Sequence, residues 1–197
     1  MTNRDGIKVR AAALGTVVGA MWIVRVLDAL VPGMGSAAGH GIIPRTWVGL
    51  EGIPIAPLIH ANWGHLLANT IPLIILGGLV LLRGVSEFVF VALVSGLIGG
   101  AGTWLFGASN THHIGASGVV FGLFGYLLFR TAFDRRWSSA IVTLIVALAY
   151  GTAMASALIP TDGVSWSGHT FGFLGGVIAA RIRYPNGPRR ATSGARF

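Results

Sequence analysis

The chain has 197 residues, of which 53% are hydrophobic and 10% are charged, and its formal net charge is +8. Soluble domains average about 25% charged residues, so this composition excludes an ordinary soluble domain and indicates a protein with several membrane spans. The sequence contains no cysteine, which excludes disulfides, zinc–thiolate sites and cysteine nucleophiles.

Six apolar segments predict six membrane-spanning helices. They cover Ala11–Val31, Gly64–Leu82, Glu87–Phe106, Ser117–Phe133, Ser138–Ile159 and Ser167–Ile182. Most reach the ~17–25 residues that a helix needs to cross the hydrocarbon of a bilayer, and the fourth lies at the short end of that range. We therefore expect an all-α, polytopic membrane protein whose residues 11–183 form one six-helix bundle.

The parts outside these segments are expected to be simple. Residues 1–10 and 184–197 are predicted to be cytoplasmic tails, the second of them disordered. The stretch Pro32–Trp63 mixes glycine and proline with apolar patches, which predicts a loop that rests in the membrane interface. No cleavable signal peptide is apparent, so the first segment is expected to be a retained helix in a bacterial cell membrane.

Most basic residues lie on one side of the membrane if the six segments cross it in alternating directions. They lie before the first segment, between the second and third, around the connection of the fourth and fifth, and after the sixth: Arg4, Lys8, Arg10, Arg83, Arg130, Arg135, Arg136, Arg181, Arg183, Arg189, Arg190 and Arg196. The opposite side has only Arg45 in a loop. This positive-inside pattern predicts cytoplasmic termini. It also explains the net charge, so no nucleic-acid partner is expected.

A serine and a histidine lie at the outer ends of two separate segments. Ser117, within Gly115-Ala116-Ser117-Gly118, begins the fourth segment, and His169 lies near the start of the sixth. Ser117 has two interpretations: a helix cap, or a nucleophile beside free backbone N–H groups that can stabilise an oxyanion. A histidine in a membrane segment is costly and usually functional, and histidine is the usual base for serine.

Glycine stripes on the same two segments explain how these residues could meet. Gly172 and Gly176 follow His169 at +3 and +7, and a matching stripe on the fourth segment comprises Gly118, Gly122 and Gly125. Small residues at this spacing permit close helix packing. The stripes can serve packing alone, but a direct serine–histidine hydrogen bond also requires a close approach, so the two interpretations are compatible.

Polar residues also open the second segment. His60 is followed by His65 and Asn69, and the last two share a helix face at i and i+4. Three interpretations stay open. The residues could form a metal site, although no carboxylate in this region completes a usual ligand set. They could also be a hydrogen-bonded pair at the membrane interface, or two hydrogen-bond donors to an oxyanion. Elsewhere, Arg25 and Asp28 lie three residues apart and predict a local ion pair. His112 and His113 can tune pH response or contact substrate, although a solvated loop is favoured.

Taken together, the Gly-Ala-Ser-Gly run, the later histidine with glycines at +3 and +7, and the upstream His-x-x-x-Asn resemble the rhomboid family of intramembrane serine proteases. The resemblance covers about Ala11–Arg183 and implies a six-helix rhomboid-like bundle. It implies that Ser117 is the nucleophile and His169 the general base of a dyad. It further implies an oxyanion hole of Asn69, His65 and the Ser117 backbone N–H.

The resemblance assigns supporting roles as well. Gly115 shapes the turn before the nucleophile, Gly172 and Gly176 pack beside the dyad with Gly118, and His60 is more structural than catalytic. Family members often have a tyrosine four residues after the nucleophile, stacked on the histidine, and here that residue is Phe121. Phe121 keeps the ring but loses the hydroxyl. Plain core packing is an equally good interpretation of this residue.

The resemblance implies substrates that are themselves membrane-spanning proteins, cut near the outer end of a transmembrane helix, with no cofactor and no metal. Two other functions compete with proteolysis. A rhomboid-like protein without catalysis would bind or escort membrane clients, but such relatives lack the serine or the histidine. A small transporter would spread polar residues through the membrane depth, whereas here they cluster in the outer half.

Overall fold

A computed structural model describes residues 3–31, 37–161 and 163–185. These residues form seven α-helices: α1 (Asn3–Leu30), α2 (Trp47–Ile55), α3 (Trp63–Leu81), α4 (Val85–Phe106), α5 (Ser117–Asp134), α6 (Trp137–Ser156) and α7 (Trp166–Arg183). The described part contains no β-strand, so the all-α prediction is confirmed. Each predicted apolar segment corresponds to one helix, with ends that differ by a few residues except at α1, which begins earlier.

Four of the helices are long and apolar enough to cross a membrane, namely α1 from Gly6, α3, α4 and α6. The predicted count of six spans is therefore supported only in part. Large apolar side chains on these helices point outward, and Leu148 on α6 is 78% exposed. Exposed apolar surface of this extent fits helices that face lipid. The predicted disordered tail lies outside the described residues from residue 186 onward.

The prediction of a loop over residues 32–63 was wrong in part, because α2 forms within it. The Thr46 hydroxyl accepts a 3.0 Å hydrogen bond from the Gly49 N–H and caps the start of this helix. One 3₁₀ turn (Ala37–His40) precedes α2, and another (Ala56–Leu58) follows it. Packing of α2 against α4 gives the short helix tertiary support that its length alone does not supply.

α5 lies at the centre of the bundle. α3, α4, α6 and α7 all pack against it, whereas α1 packs mainly against α3, and α6 packs mainly against α5. The central position of α5 explains why its large side chains are buried, including Leu123 and Tyr126 at 0% exposure. Residues 120–127 of α5 are therefore all buried, and α6 lies at the periphery.

The helices α5 and α7 approach each other backbone to backbone. A side chain on Gly172 would overlap the carbonyl of Gly118, and one on Gly176 would overlap the carbonyl of Gly122. These contacts are possible only because neither α7 position carries a Cβ atom. The N-terminal halves of α5 and α7 are consequently held close together.

Buried ion pairs tie the opposite end of the bundle. Asp134 at the end of α5 is 1% exposed, and its Oδ2 lies 3.0 Å from Arg83 Nη2 and 3.3 Å from Arg130 Nε. A second pair joins Glu87 of α4 to Arg183 of α7 at 2.7 Å. These ion pairs join α5 to the connection between α3 and α4, and α4 to α7, at this end of the bundle.

The ion pair predicted within α1 is confirmed. Arg25 Nη1 lies 2.5 Å from Asp28 Oδ2, and the Arg25 guanidinium lies 5.1 Å from the ring centroid of Trp63 on α3. The pair therefore also contributes to the contact between α1 and α3, through a cation–π interaction.

Replacing Asp134 by alanine is expected to destabilise the bundle strongly. The substitution leaves Arg130, which is 4% exposed, without its carboxylate, and breaking a buried ion pair typically costs about 3–5 kcal/mol. Thermal unfolding in detergent measures the effect. Glu51→Ala is the control, because it removes an exposed carboxylate. A loss of stability no larger than that of the control would contradict the role of the Asp134 cluster.

Candidate active site

The turn before Ser117 is fixed by its backbone. Gly115 has φ +107°, in the left-handed region that favours glycine. Its N–H donates to the Ala56 carbonyl at 2.8 Å, and the next N–H, of Ala116, donates to His60 Nε2 at 3.4 Å. These two bonds hold the start of α5 against the segment that precedes α3.

His60 is an acceptor in this turn. Its side chain is buried, and burial together with the neighbouring His65 lowers the pKa of His60 to about 4. The ring is thus neutral at ordinary pH, with Nε2 accepting from Ala116 and the proton on Nδ1. This contact supports the structural role that the resemblance implied for His60.

Ser117 is the first residue of α5. The N-cap position is Ala116, so the helix-cap interpretation of Ser117 does not hold. Among the described residues, Ser117 Oγ makes no hydrogen bond to protein, and its side chain is partly exposed. The N–H groups of Gly115 and Ala116 are used by Ala56 and His60, whereas that of Ser117 is among the free N–H groups that open a helix.

His169, on the first turn of α7, is oriented by two contacts. Its Nδ1 lies 2.8 Å from the carbonyl oxygen of Ala157, just after α6. Because a carbonyl can only accept, Nδ1 carries the proton in the neutral ring and Nε2 keeps a lone pair. The ring also stacks on Phe121, with centroids 4.1 Å apart and planes 6° apart.

The serine and the histidine occupy adjoining positions. Phe121 lies one helical turn after Ser117, and a Cβ atom on Gly118 would lie 3.3 Å from the carbonyl oxygen of Gly168. Among the described residues, no hydrogen bond joins Ser117 Oγ to the His169 ring. In enzymes without bound substrate such a bond is often long, so its absence is compatible with a dyad.

His65 and Asn69 lie over the turn that leads to Ser117. A Cβ atom on Gly115 would lie 2.7 Å from His65 Nε2 and 3.6 Å from Asn69 Nδ2. Asn69 donates one amide hydrogen to the His65 carbonyl at 2.9 Å, which leaves its second hydrogen for another acceptor. The polar ends of both side chains thus lie beside the turn that leads to Ser117. Among the described residues, no group of three histidine or carboxylate side chains is placed to hold a metal ion.

A small cavity of about 40 Å³ opens beside Ser117. Its lining includes Ser117, Gly118, Gly168, Ser165 and His113. Apolar residues and glycines make up most of the remaining lining. A cavity of this size has room for a water molecule, which needs roughly 10–15 Å³, and Ser117, Ser165 and His113 are polar residues in its wall. The cavity therefore offers a place for water next to Ser117.

Two participants in the site, the Ala157 carbonyl and Ser165, were not identified from the sequence, and a third, His113, was named with the wrong surroundings favoured. The Ala157 carbonyl carries no sequence signal, because any residue supplies a carbonyl. Ser165 caps α7, and its spacing of three residues before Gly168 is a recognisable signal. His113 was expected in a solvated loop, and this is wrong, because both ring nitrogens are hydrogen-bonded, to Thr111 and to Ser165.

The chain is similar in sequence to several known proteins. The family model of the Rhomboid domain matches residues 50–186. The uncharacterized protein Rv1337 of Mycobacterium tuberculosis is 40% identical over 190 residues, which cover 92% of this chain and 78% of that protein. The putative rhomboid protease YdcA of Bacillus subtilis is 32% identical over 139 residues, covering 68% and 67% of the two chains.

A further relative, the rhomboid protease GluP of Bacillus subtilis, is 30% identical over 130 residues, covering 62% of this chain and 24% of that protein. The match of the family model extends from within α2 to the end of α7 and so includes every residue of the site described above. The chain is a multi-pass membrane protein that belongs to the rhomboid family.

Proposed function

We propose that the protein is an intramembrane serine protease that uses a dyad of Ser117 and His169. The observation that carries this proposal is the orientation of His169. Its Nδ1–H is bound by the Ala157 carbonyl and its ring is stacked on Phe121, one turn from Ser117. This leaves Nε2 as the basic nitrogen, which is the requirement for a general base.

The reaction then follows from the positions of these groups. Ser117 Oγ attacks the peptide carbonyl carbon while its proton passes to His169 Nε2, and a tetrahedral oxyanion forms. The C–N bond breaks as Nε2 returns the proton to the leaving amine. A water molecule then attacks the acyl carbon and gives a proton to His169 Nε2. The bond from the acyl carbon to Ser117 Oγ breaks as Nε2 returns that proton to Oγ, and the carboxylic product leaves.

The oxyanion has three candidate donors. The Ser117 N–H is free at the start of α5, and His65 Nε2 and Asn69 Nδ2 lie over the Gly115 turn. His65 Nδ1 accepts a long 3.5 Å hydrogen bond from the Ala61 N–H, which favours the proton on Nε2. Donors arranged before the reaction stabilise developing charge at no cost of reorganisation, and a single one can be worth 10²–10³-fold, on the order of 3 kcal/mol.

The substrate class follows from where the site lies. We propose membrane-spanning proteins that are cut near the outer end of a transmembrane helix. A hydrogen-bonded helix hides its carbonyls, so the substrate must unwind locally before Ser117 can attack. Helices with small or helix-destabilising residues near the cut unwind at lower cost.

The proposal includes six spans, with α5 and α7 crossing the membrane as well. Each has 18 residues, which corresponds to ~27 Å of helix, close to the ~30 Å hydrocarbon thickness. Both helices pack against several others, so they do not need the strongly apolar surface of a lipid-facing helix. Both termini are then cytoplasmic, in agreement with the basic residues on that side.

Alanine at Ser117 or His169 is expected to abolish cleavage, with kcat lowered at least about a thousandfold. The assay uses purified protein in liposomes with a model transmembrane substrate, together with labelling of Ser117 by a fluorophosphonate. Ser167→Ala is the matched control, because Ser167 is a fully buried serine two residues before His169. Undiminished cleavage by Ser117→Ala would refute the dyad. Folded wild-type protein that neither cleaves nor labels would favour client binding instead.

The stacking of His169 on Phe121 predicts a graded series at that position. Phe121→Tyr keeps the ring and is expected to retain activity. Phe121→Leu keeps an apolar side chain but removes the stack, which is worth about 0.5–1.5 kcal/mol, so kcat falls roughly two- to tenfold. Thermal unfolding gives the folded fraction of each variant. Comparison of kcat at equal folded fraction then separates a loss of activity from a loss of stability. Equal kcat for the leucine and tyrosine variants would show that plain packing is the role of Phe121.

Single cysteines distinguish six spans from four, because the chain has none of its own. With six spans, a membrane-impermeant maleimide labels Ala108→Cys and Thr161→Cys on intact cells, and Ser138→Cys only after permeabilisation. If only α1, α3, α4 and α6 cross, Ser138→Cys is outside and Thr161→Cys inside. All three positions are exposed, so accessibility reports topology.

A further inference from the structure

A hydrogen bond joins the two connections that lead into the proposed dyad. His113 Nδ1 lies 2.7 Å from Ser165 Oγ. His113 belongs to the connection between α4 and α5, and Ser165 to the one between α6 and α7. Each lies four residues before a member of the dyad, Ser117 or His169. The bond therefore joins the connection before α5 to the connection before α7. The relative position of these two connections affects the distance between Ser117 and His169.

The neighbours of His113 determine where its proton is. The Thr111 hydroxyl donates to the Ala108 carbonyl at 2.6 Å, so its one hydrogen is used. At 2.8 Å from His113 Nε2, Thr111 Oγ1 must then be the acceptor. Nε2 carries the proton, Nδ1 accepts, and the Ser165 hydroxyl donates to it. Burial, with a contribution from His112, lowers the pKa of His113, which agrees with a neutral ring.

Ser165 connects His113 to the first turn of α7, which carries His169. Its Oγ accepts from the Gly168 N–H at 3.4 Å, and its carbonyl accepts from the His169 N–H at 3.0 Å. Both polar groups of Ser165 thus bind the first turn of α7. The Ser165 hydroxyl therefore accepts a hydrogen bond from the Gly168 N–H and donates one to His113 Nδ1. These two bonds together fix its position.

His113 is itself held firmly. Its N–H donates to the Ile42 carbonyl, and its carbonyl accepts from the Ile42 N–H, each at 2.9 Å. This two-bond bridge ties the loop before Ser117 to the segment before α2. A side chain mounted on such a backbone is a rigid support for Ser165, and through it for the start of α7.

We propose that His113 and Ser165 form a positioning pair that sets the distance between Ser117 and His169. The inference rests on the proposed function. Neither residue takes part in proton transfer, because their polar atoms bond to each other, to Thr111 and to backbone. Their effect is geometric: loss of the bond lets the start of α7 shift relative to the start of α5.

The test compares Ser165→Ala, Ser165→Thr, His113→Phe and the double variant Ser165→Ala/His113→Phe in the liposome cleavage assay. We expect kcat to fall about ten- to a hundredfold in Ser165→Ala, since small misplacements of reacting groups have effects of that size. KM should stay within about twofold, because substrate contacts are unchanged. Fluorophosphonate labelling of Ser117 should slow in parallel.

The other variants separate positioning from mere stability. Ser165→Thr keeps a capping hydroxyl and should restore most of kcat. His113→Phe keeps ring volume and leaves the cap of α7 intact, so it tests the pair in a folded protein. The double variant should be no worse than the more impaired single one, because both substitutions break the same bond. Thr46→Ala is the control, since it removes a similar capping hydroxyl from α2.

The outcomes are distinct. Equal kcat in wild type, Ser165→Ala and His113→Phe, with wild type active, would overturn the positioning pair and leave the proposed function intact. Additive losses in the double variant would also overturn it, because the residues would then act separately. Wild-type protein that neither cleaves nor labels would overturn the proposed function, and the positioning role with it.

Discussion

The contact on which the site depends is the backbone approach of α5 and α7. Gly172 and Gly176 lie against the carbonyls of Gly118 and Gly122, and any larger residue at the two α7 positions would push the helices apart. The first turns of the same two helices carry Ser117 and His169. Two short side chains can reach each other only if the helix backbones nearly touch. The glycines therefore determine whether a serine and a histidine on different helices can act as one unit.

A second constraint is that polar groups within an apolar bundle must find partners inside the protein. At one end this produces the cluster of Arg83, Arg130 and Asp134, which fixes the ends of the helices. At the other end the polar groups bond to backbone: His60 to the Ala116 N–H and His169 to the Ala157 carbonyl. The ion pairs give rigidity where no chemistry is proposed. The backbone bonds leave Ser117 Oγ and His169 Nε2 free.

The sequence predicted the fold well because its main signal, long apolar segments with basic residues on one side, reports directly on membrane helices. It also singled out Ser117 and His169 as candidate site residues, because each is an unusual residue at the end of such a segment. It did not predict α2, whose nine residues are too few to give a clear period. Nor did it predict the contacts of His113 and Ala157, since these depend on how separate connections fold over one another. A backbone carbonyl that accepts a hydrogen bond cannot be predicted from residue types, because every residue has a carbonyl group.

The Ala157 carbonyl has a further consequence for how the base is controlled. In a serine–histidine–carboxylate triad the orienting group carries a charge, which is costly to keep in apolar surroundings. A backbone carbonyl orients the ring without that cost. However, it belongs to the residue that follows α6, a helix that packs mainly against α5 at the edge of the bundle. Displacement of the C-terminal end of α6 would remove the acceptor from His169 Nδ1. The ring would then be held only by Phe121 and by the start of α7, so the orientation of His169 on which the proposed dyad depends requires α6 to be in place.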